Sequence, residues 1–66
     1  MEAVIGEAAG KVWQALHAKG PMRITGIAKA TGLPGDLLSQ GIGWLAREGK
    51  IAAERQKGRK EVYRLQ

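Results

Sequence analysis

Sixty-six residues without a cysteine exclude a disulfide-stapled domain and a metal site built on thiolates. No stretch approaches the roughly 20 apolar residues that span a bilayer. The start, Met1-Glu2-Ala3, lacks the basic segment of a signal peptide, so we expect a cytoplasmic protein. The net charge of +5 is uneven: residues 46–66 hold seven Lys or Arg and three acids, net +4, and residues 1–45 carry +1. This basic end indicates either an anionic partner, most often nucleic acid, or a solvated face.

The first predicted element is a helix over residues 3–18, ended by Lys19-Gly20-Pro21. Its inward stripe has the helical period: Ile5, Ala9, Val12 and Leu16. Trp13 lies beside that stripe and is expected to join the core. Gly6 and Gly10 are each costly in a helix, by about 1 kcal/mol against Ala. They indicate that another backbone passes close to this face.

A short extended piece, Met22-Arg23-Ile24, is predicted next, followed by a second helix over residues 26–31. Thr25 is the expected N-cap, because its hydroxyl can accept a hydrogen bond from the amides of the first turn. Ile27 and Ala30 are expected to face inward.

A sharp turn and a third helix follow. Gly32 can supply the left-handed residue of the turn, and Leu33 is expected to fill the angle between the two helices. Asp36 is one candidate N-cap, with Pro34 at the first helical position as the alternative, and Gly49 caps the C-terminus. The predicted inward stripe is Leu38, Ile42 and Leu45. The predicted opposite face carries Leu37, Gln40, Gly41, Gly43, Trp44 and Arg47.

Two strands, 51–56 and 60–65, form the last predicted elements, joined at Lys57-Gly58-Arg59 as a hairpin. Strand alternation directs two side chains inward and two outward: Tyr63 and Leu65, then Val62 and Arg64. The whole order predicts an α+β winged helix-turn-helix, a three-helix bundle with a small antiparallel β-sheet, as a single domain over residues 1–66.

This order, together with two segments, resembles a known family. The segments are IGEAAGKVW at 5–13 and GWLAREGKI at 43–51. They are similar to a family of short bacterial winged-helix proteins of unassigned function. The resemblance implies the fold and DNA binding, and it brings no validated functional residues.

The candidate DNA contacts fall on the third helix and the hairpin. Ser39, Gln40 and Arg47 are the polar side chains able to read base edges, since Gln pairs with adenine and Arg with guanine. Ordinary solvated residues are the alternative reading. The predicted phosphate contacts are the cations of the hairpin: Arg55, Lys57, Arg59 and Lys60, with Arg64 behind them. Cations that protect a sheet edge from aggregation are the alternative here.

Trp44 has two readings. It either packs on the first helix near Gly6 and Gly10, or lies exposed beside Leu37 as a contact for a protein partner. His17 stands alone near the end of the first helix and makes no metal site. No catalytic constellation, cofactor site or small-molecule site is evident, so we predict no enzyme activity.

The sequence therefore predicts a non-enzymatic DNA-binding domain that regulates transcription, with its third helix in the major groove and its basic wing on phosphates. The alternative is a protein-interaction module, homodimeric in one version, that uses the Leu37 and Trp44 face. Binding to structured RNA through the same wing is the third hypothesis.

Overall fold

Three helices precede a two-stranded antiparallel sheet in the computed structural model, which describes residues 2–55 and 61–66. The elements are α1 at Glu2–Lys19, α2 at Ile24–Thr31, α3 at Gly35–Arg47, β1 at Ile51–Arg55 and β2 at Glu61–Leu65. This arrangement confirms the predicted α+β winged-helix fold. No helix of the described residues is long and apolar enough to cross a membrane.

Two helices approach each other closely where α3 crosses α1. A methyl group at Gly41 would lie 3.1 Å from the Ala8 carbonyl carbon and 3.1 Å from the Ala9 amide nitrogen. Only a glycine fits there without a shift of α1. The prediction that Gly6 and Gly10 mark the close approach was wrong, because a methyl group at either would meet nothing within 4 Å.

The core lies between the helices and the start of β1. Its buried members come from all three helices and β1: Ala9, Val12, Leu16, Ile27, Leu38, Ile42, Leu45 and Ile51. Half-buried side chains pack against them: Met22, Ala28, Leu33, Trp44, Tyr63 and Leu65. The predicted inward stripe of α3 is confirmed. The inward stripe of α1 is confirmed from Ala9 onward, whereas Ile5 is half-buried.

Trp13 is 37% exposed, so the prediction that it belongs to the core was wrong. It follows the fully buried Val12, and one residue is a 100° turn of a helix. That turn carries the indole out of the buried stripe. The indole instead stacks on the imidazole of His17, one turn later, with ring centroids 4.9 Å apart and planes inclined by 12°.

The start of α2 differs from the prediction. The helix begins at Ile24, two residues early, and its N-cap is Arg23 without a side-chain hydrogen bond, so Thr25 is not the N-cap. Ile27 is buried as expected, but Ala30 is exposed and Ala28 packs on the core instead. The inward side of α2 therefore carries Ile27 and Ala28, not Ile27 and Ala30.

The turn between α2 and α3 follows the predicted chemistry. Gly32 adopts the left-handed conformation at φ 71°, and its amide donates to the Ala28 carbonyl. Thr31 Oγ1 donates to the Ile27 carbonyl at 2.8 Å and accepts from the Leu33 amide at 3.3 Å. These bonds fix the angle at which α3 leaves the turn.

Both ends of α3 are defined by the backbone. Pro34 is the N-cap, so neither the Asp36 cap nor Pro34 at the first helical position is correct. At the C-terminus Gly49 has φ 73°. Its amide donates to the Ala46 carbonyl at 3.1 Å, and the Lys50 amide donates to the Leu45 carbonyl at 2.9 Å. This pair of bonds is a Schellman motif, as the predicted glycine cap requires.

The sheet pairs β1 with β2 in an antiparallel register that runs from Ile51 opposite Leu65 to Arg55 opposite Glu61. Met22 makes an isolated bridge to Tyr63 on the far side of β2. The Met22 amide donates to the Tyr63 carbonyl at 3.0 Å, and the Tyr63 amide donates back at 2.8 Å. The predicted extended piece before α2 is therefore a single bridge. The predicted connection at 57–59 lies outside the described residues.

Val62 was expected to point away from the core, and it is nevertheless buried, with 8% of its surface exposed. It lies opposite Glu54, on the sheet face that also carries Arg64. Arg64 Nε donates to Glu54 Oε2 at 2.8 Å, so an ion pair joins the two residues that flank Val62 on that face. Strand alternation correctly predicts the sheet face on which Val62 lies. It does not predict how far the side chains around Val62 cover it.

Candidate nucleic-acid interface

One side of α3 faces solvent along its whole length. Each helical residue turns by 100°, so the buried residues Leu38, Gly41, Ile42 and Leu45 leave the opposite side free. That side carries the three side chains predicted to read base edges, Ser39, Gln40 and Arg47, and all three are exposed. Gly43 lies among them.

These residues border one open concavity of about 400 Å³, which we call the α3 concavity. Its lining joins the three predicted base readers to Gly43, Trp44 and Ile5. Ile5 comes from the first turns of α1, so two helices wall the concavity. Sequence reasoning missed Ile5, because a helical period cannot show which part of α3 lies beside the start of α1.

The placement of Gly41 on this open side was wrong. Gly41 is buried against α1, whereas Gly43 is exposed and a methyl group there would meet nothing within 4 Å. The two glycines of α3 therefore have different surroundings. Gly43 lowers the floor of the α3 concavity to the level of the helix backbone.

Trp44 fits its packed reading in part, and its role as a contact for a protein partner stays a prediction. It is half-buried and packs against the core, and it also separates the α3 concavity from a second depression. This second depression, the indole groove, has a volume of about 300 Å³ and lies between α1 and α3. Trp44 and Trp13 both line it, together with Gly6, Gly10 and Lys50. Leu37, the other predicted interface residue, is half-buried.

Two of the cations predicted for the wing, Arg55 and Arg64, lie in the part of the hairpin that the structure describes. Arg55 is exposed at the end of β1, opposite Glu61. Lys57, Arg59 and Lys60 lie outside the described residues. Arg64 is engaged with Glu54, and this is the one salt bridge among the side chains that the structure describes. Arg47 makes no such pair there, so its charge is available to a ligand.

Tyr63 and Glu61 form a polar pair at the base of β2. Tyr63 Oη donates to Glu61 Oε1 at 3.1 Å. Burial raises the pKa of the Tyr63 phenol above its ordinary value, and the hydrogen bond and negative charge of Glu61 act in the same direction. The pair lines a hollow beside the N-terminus of α2, away from the α3 concavity.

Metal binding receives no support from the described part of the chain. Residues 2–55 and 61–66 show no group of three or more His, Asp or Glu side chains able to hold an ion. His17 lies in the last turn of α1, where its ring stacks on Trp13.

The three helices, the paired strands and the solvent-facing α3 define a winged helix-turn-helix domain. The chain belongs to the family described as "Winged helix-turn-helix domain (DUF2582)", which matches residues 1–64. This confirms the predicted resemblance. Proteins with this fold generally bind DNA.

A solved structure is similar over almost the whole chain. The solution NMR structure of protein BT2368 from Bacteroides thetaiotaomicron is 37% identical, with a TM-score of 0.81, over 97% of this chain and 79% of that one. No curated protein matches the chain.

Proposed function

We propose that this chain is a non-enzymatic DNA-binding domain that regulates transcription, with α3 in the major groove and the basic hairpin on phosphates. The observation that carries the proposal is the α3 concavity. Ser39 and Gln40 are adjacent and Arg47 follows two helical turns later, and all three line this concavity on the solvent side of the helix that this fold places in the groove.

The charge distribution supports the same orientation. The last 21 positions, residues 46–66, carry a net charge of +4 of the total +5. They include Arg47, which lines the α3 concavity, and Arg55, which is exposed at the end of β1. Positive charge at this end favours contact with phosphates, which supply most of the affinity for DNA.

The first experiment is a salt titration of binding to a fluorescent random-sequence duplex, followed by anisotropy. Four phosphate contacts predict a slope of roughly −3.6 for log K against log salt concentration. No binding at low salt would overturn the proposal. A matched RNA duplex as competitor tests the RNA alternative, which requires the RNA to compete better than DNA.

A charge-matched pair of variants locates the contact surface. Lys57→Glu with Arg59→Glu changes the predicted wing. Lys11→Glu with Lys19→Glu makes the same change at exposed positions of α1, beside the cleft to α2. Each pair removes two positive charges and adds two negative ones, so both lower the net charge from +5 to +1.

We expect the wing pair to weaken DNA binding by at least about tenfold and to reduce the salt slope by about 2. The α1 pair should have a smaller effect, because its charges act only at a distance. Equal losses in both pairs would show that net charge alone attracts DNA and would remove the wing from the interface.

A protein-contact function remains the second candidate, favoured by one observation. Trp13 is exposed, and it lines the indole groove together with Trp44. Two indoles at one open groove are typical anchors of protein interfaces. In the homodimer version, sedimentation at increasing concentration gives a dimer for the unchanged chain and a monomer for Trp13→Ala. A monomer throughout would rule that version out. Trp44→Ala extends the test, with circular dichroism to establish that the variant folds.

A further inference from the structure

The α3 concavity has an apolar part that base-edge hydrogen bonds do not use. Ile5 and Trp44 are both half-buried and line it from two helices. Gly43 adds a stretch of floor without a side chain, and nothing lies within 4 Å of the position that a methyl group would take there. A ligand group can therefore reach the backbone of α3 between two apolar walls.

The polar side chains stand at the rim of the same concavity. Gln40 precedes Gly43 by three residues and Arg47 follows it by four, so one helical turn separates each from the glycine. A ligand that fills the concavity must then combine an apolar projection with hydrogen-bonding groups on either side. The exposed Arg47 adds a positive charge next to that projection.

A base pair in the major groove has this combination. Adenine offers the donor and acceptor that a Gln amide can pair with, guanine offers two acceptors to Arg, and thymine carries the C5-methyl group, an apolar projection. Of the four bases, only thymine has this methyl group, and 5-methylcytosine carries it at the same position.

We propose that the α3 concavity receives the 5-methyl group of a pyrimidine, which in unmodified DNA is thymine, with Ile5, Gly43 and Trp44 as the receiving surface. This inference rests on the proposed function and deepens it. Phosphate contacts give no role to the apolar side chains of the concavity, whereas a methyl group would give them a role in base preference. Gln40 is placed to read the adenine of the same or the adjacent pair.

The experiment begins with duplexes selected by the protein from a random-sequence pool. The best-bound duplex is then made again with uracil in place of thymine at one position at a time, which removes only the methyl group. We expect about fourfold weaker binding at one or two positions, the effect of burying one carbon group, and little change elsewhere. A second set compares cytosine with 5-methylcytosine at the sensitive position.

The second set separates the two sources of the methyl group. A similar gain from 5-methylcytosine shows that the methyl group is recognised on either base. A gain confined to thymine shows that the adenine partner is also required. Binding that is equal for thymine and uracil at every position overturns the inference but leaves DNA binding intact. No binding to any duplex at low salt overturns both.

A matched pair of variants tests the residues. Gly43→Leu fills the concavity without removing any existing contact, and Ala46→Leu adds the same side chain at an exposed position of α3 outside the concavity lining. We expect the thymine-to-uracil ratio to fall to about one for Gly43→Leu and to stay near four for Ala46→Leu. Ile5→Ala, which opens the wall from α1, should lower the ratio as well. An unchanged ratio in both Gly43→Leu and Ile5→Ala would overturn the assignment.

Discussion

Gly41 and Gly43 lie two residues apart in α3, and the structure gives them opposite surroundings. A methyl group at Gly41 would lie 3.1 Å from backbone atoms of Ala8 and Ala9 in α1, whereas a methyl group at Gly43 would meet nothing within 4 Å. The first glycine is required by packing between helices. The second weakens the helix by about 1 kcal/mol against Ala, and no packing among the described residues requires it. The two glycines therefore separate a side of α3 that is fixed by packing on α1 from a side that stays open to solvent, where we propose the DNA contact.

The largest effect is expected on the packed side of α3. Leu45 is buried in the core at 4% exposure, so Leu45→Ala should lower the free energy of unfolding by about 2–5 kcal/mol. A chain of this size can lose its fold at that cost. Urea denaturation followed by circular dichroism measures the change. Gln40→Ala, on the open side, is the control and should stay within about 0.5 kcal/mol.

Gly41→Ala should have an intermediate effect. The new methyl group would lie 3.1 Å from two backbone atoms of α1, and overpacking of this kind costs about 1–3 kcal/mol. The better helix propensity of Ala returns about 1 kcal/mol, so we expect a net loss of up to about 2 kcal/mol. The same denaturation experiment measures it. A variant more stable than the original chain would show that α1 shifts freely and that the contact is not tight.

Gly43→Ala should stabilise the fold by about 0.4–1 kcal/mol, because Ala reduces the freedom of the unfolded chain and has open space in the helix. The melting temperature should rise accordingly. This variant makes the same chemical change as Gly41→Ala, so the two form a direct test of the comparison. Equal effects of one sign would mean that the two sides of α3 do not differ as the structure shows.

The smallest effect is expected in the sheet at alkaline pH. The folded chain holds the phenolic proton of Tyr63 more tightly than the unfolded chain does, since its pKa is raised. This contribution to stability is therefore complete below the ordinary tyrosine pKa of about 10 and is lost as the pH rises through the folded value. Above about pH 10, the melting temperature of the Tyr63→Phe variant should fall less steeply with pH than that of the original chain. An identical decline in the two would contradict the assignment. Glu61→Gln, which removes the charge but leaves the Tyr63 ring half-buried, should lie between them.

The order of elements could be predicted from the sequence because it depends on local signals. Leu38, Ile42 and Leu45 repeat at the helical period, and Gly32 and Gly49 stand where left-handed residues end helices. These signals depend on residues close together in the chain. The solvent side of α3 followed from the same period, so Ser39, Gln40 and Arg47 were found as exposed residues.

The contacts between elements could not be predicted in the same way. The period of α1 gives directions around its axis, but not the point where α3 crosses it. The close approach was therefore assigned to Gly6 and Gly10, although Gly41 makes it. The burial of Trp13 was predicted wrongly for a related reason. The sequence does not show which neighbouring elements cover a hydrophobic side chain that lies one residue away from the buried stripe. Ile5 lines the α3 concavity because α1 and α3 lie side by side there, and the sequence could not show this either.

The bridge between Met22 and Tyr63 connects the hairpin to the segment that leads into α2. Both backbone polar groups of Tyr63 are bonded to the segment that leads into α2, and the turn after α2 fixes the direction of α3. The root of the hairpin and α3 are thus connected through α2 by backbone hydrogen bonds. In the proposed complex, these bonds help to set the separation at which a duplex would meet α3 and the root of the hairpin.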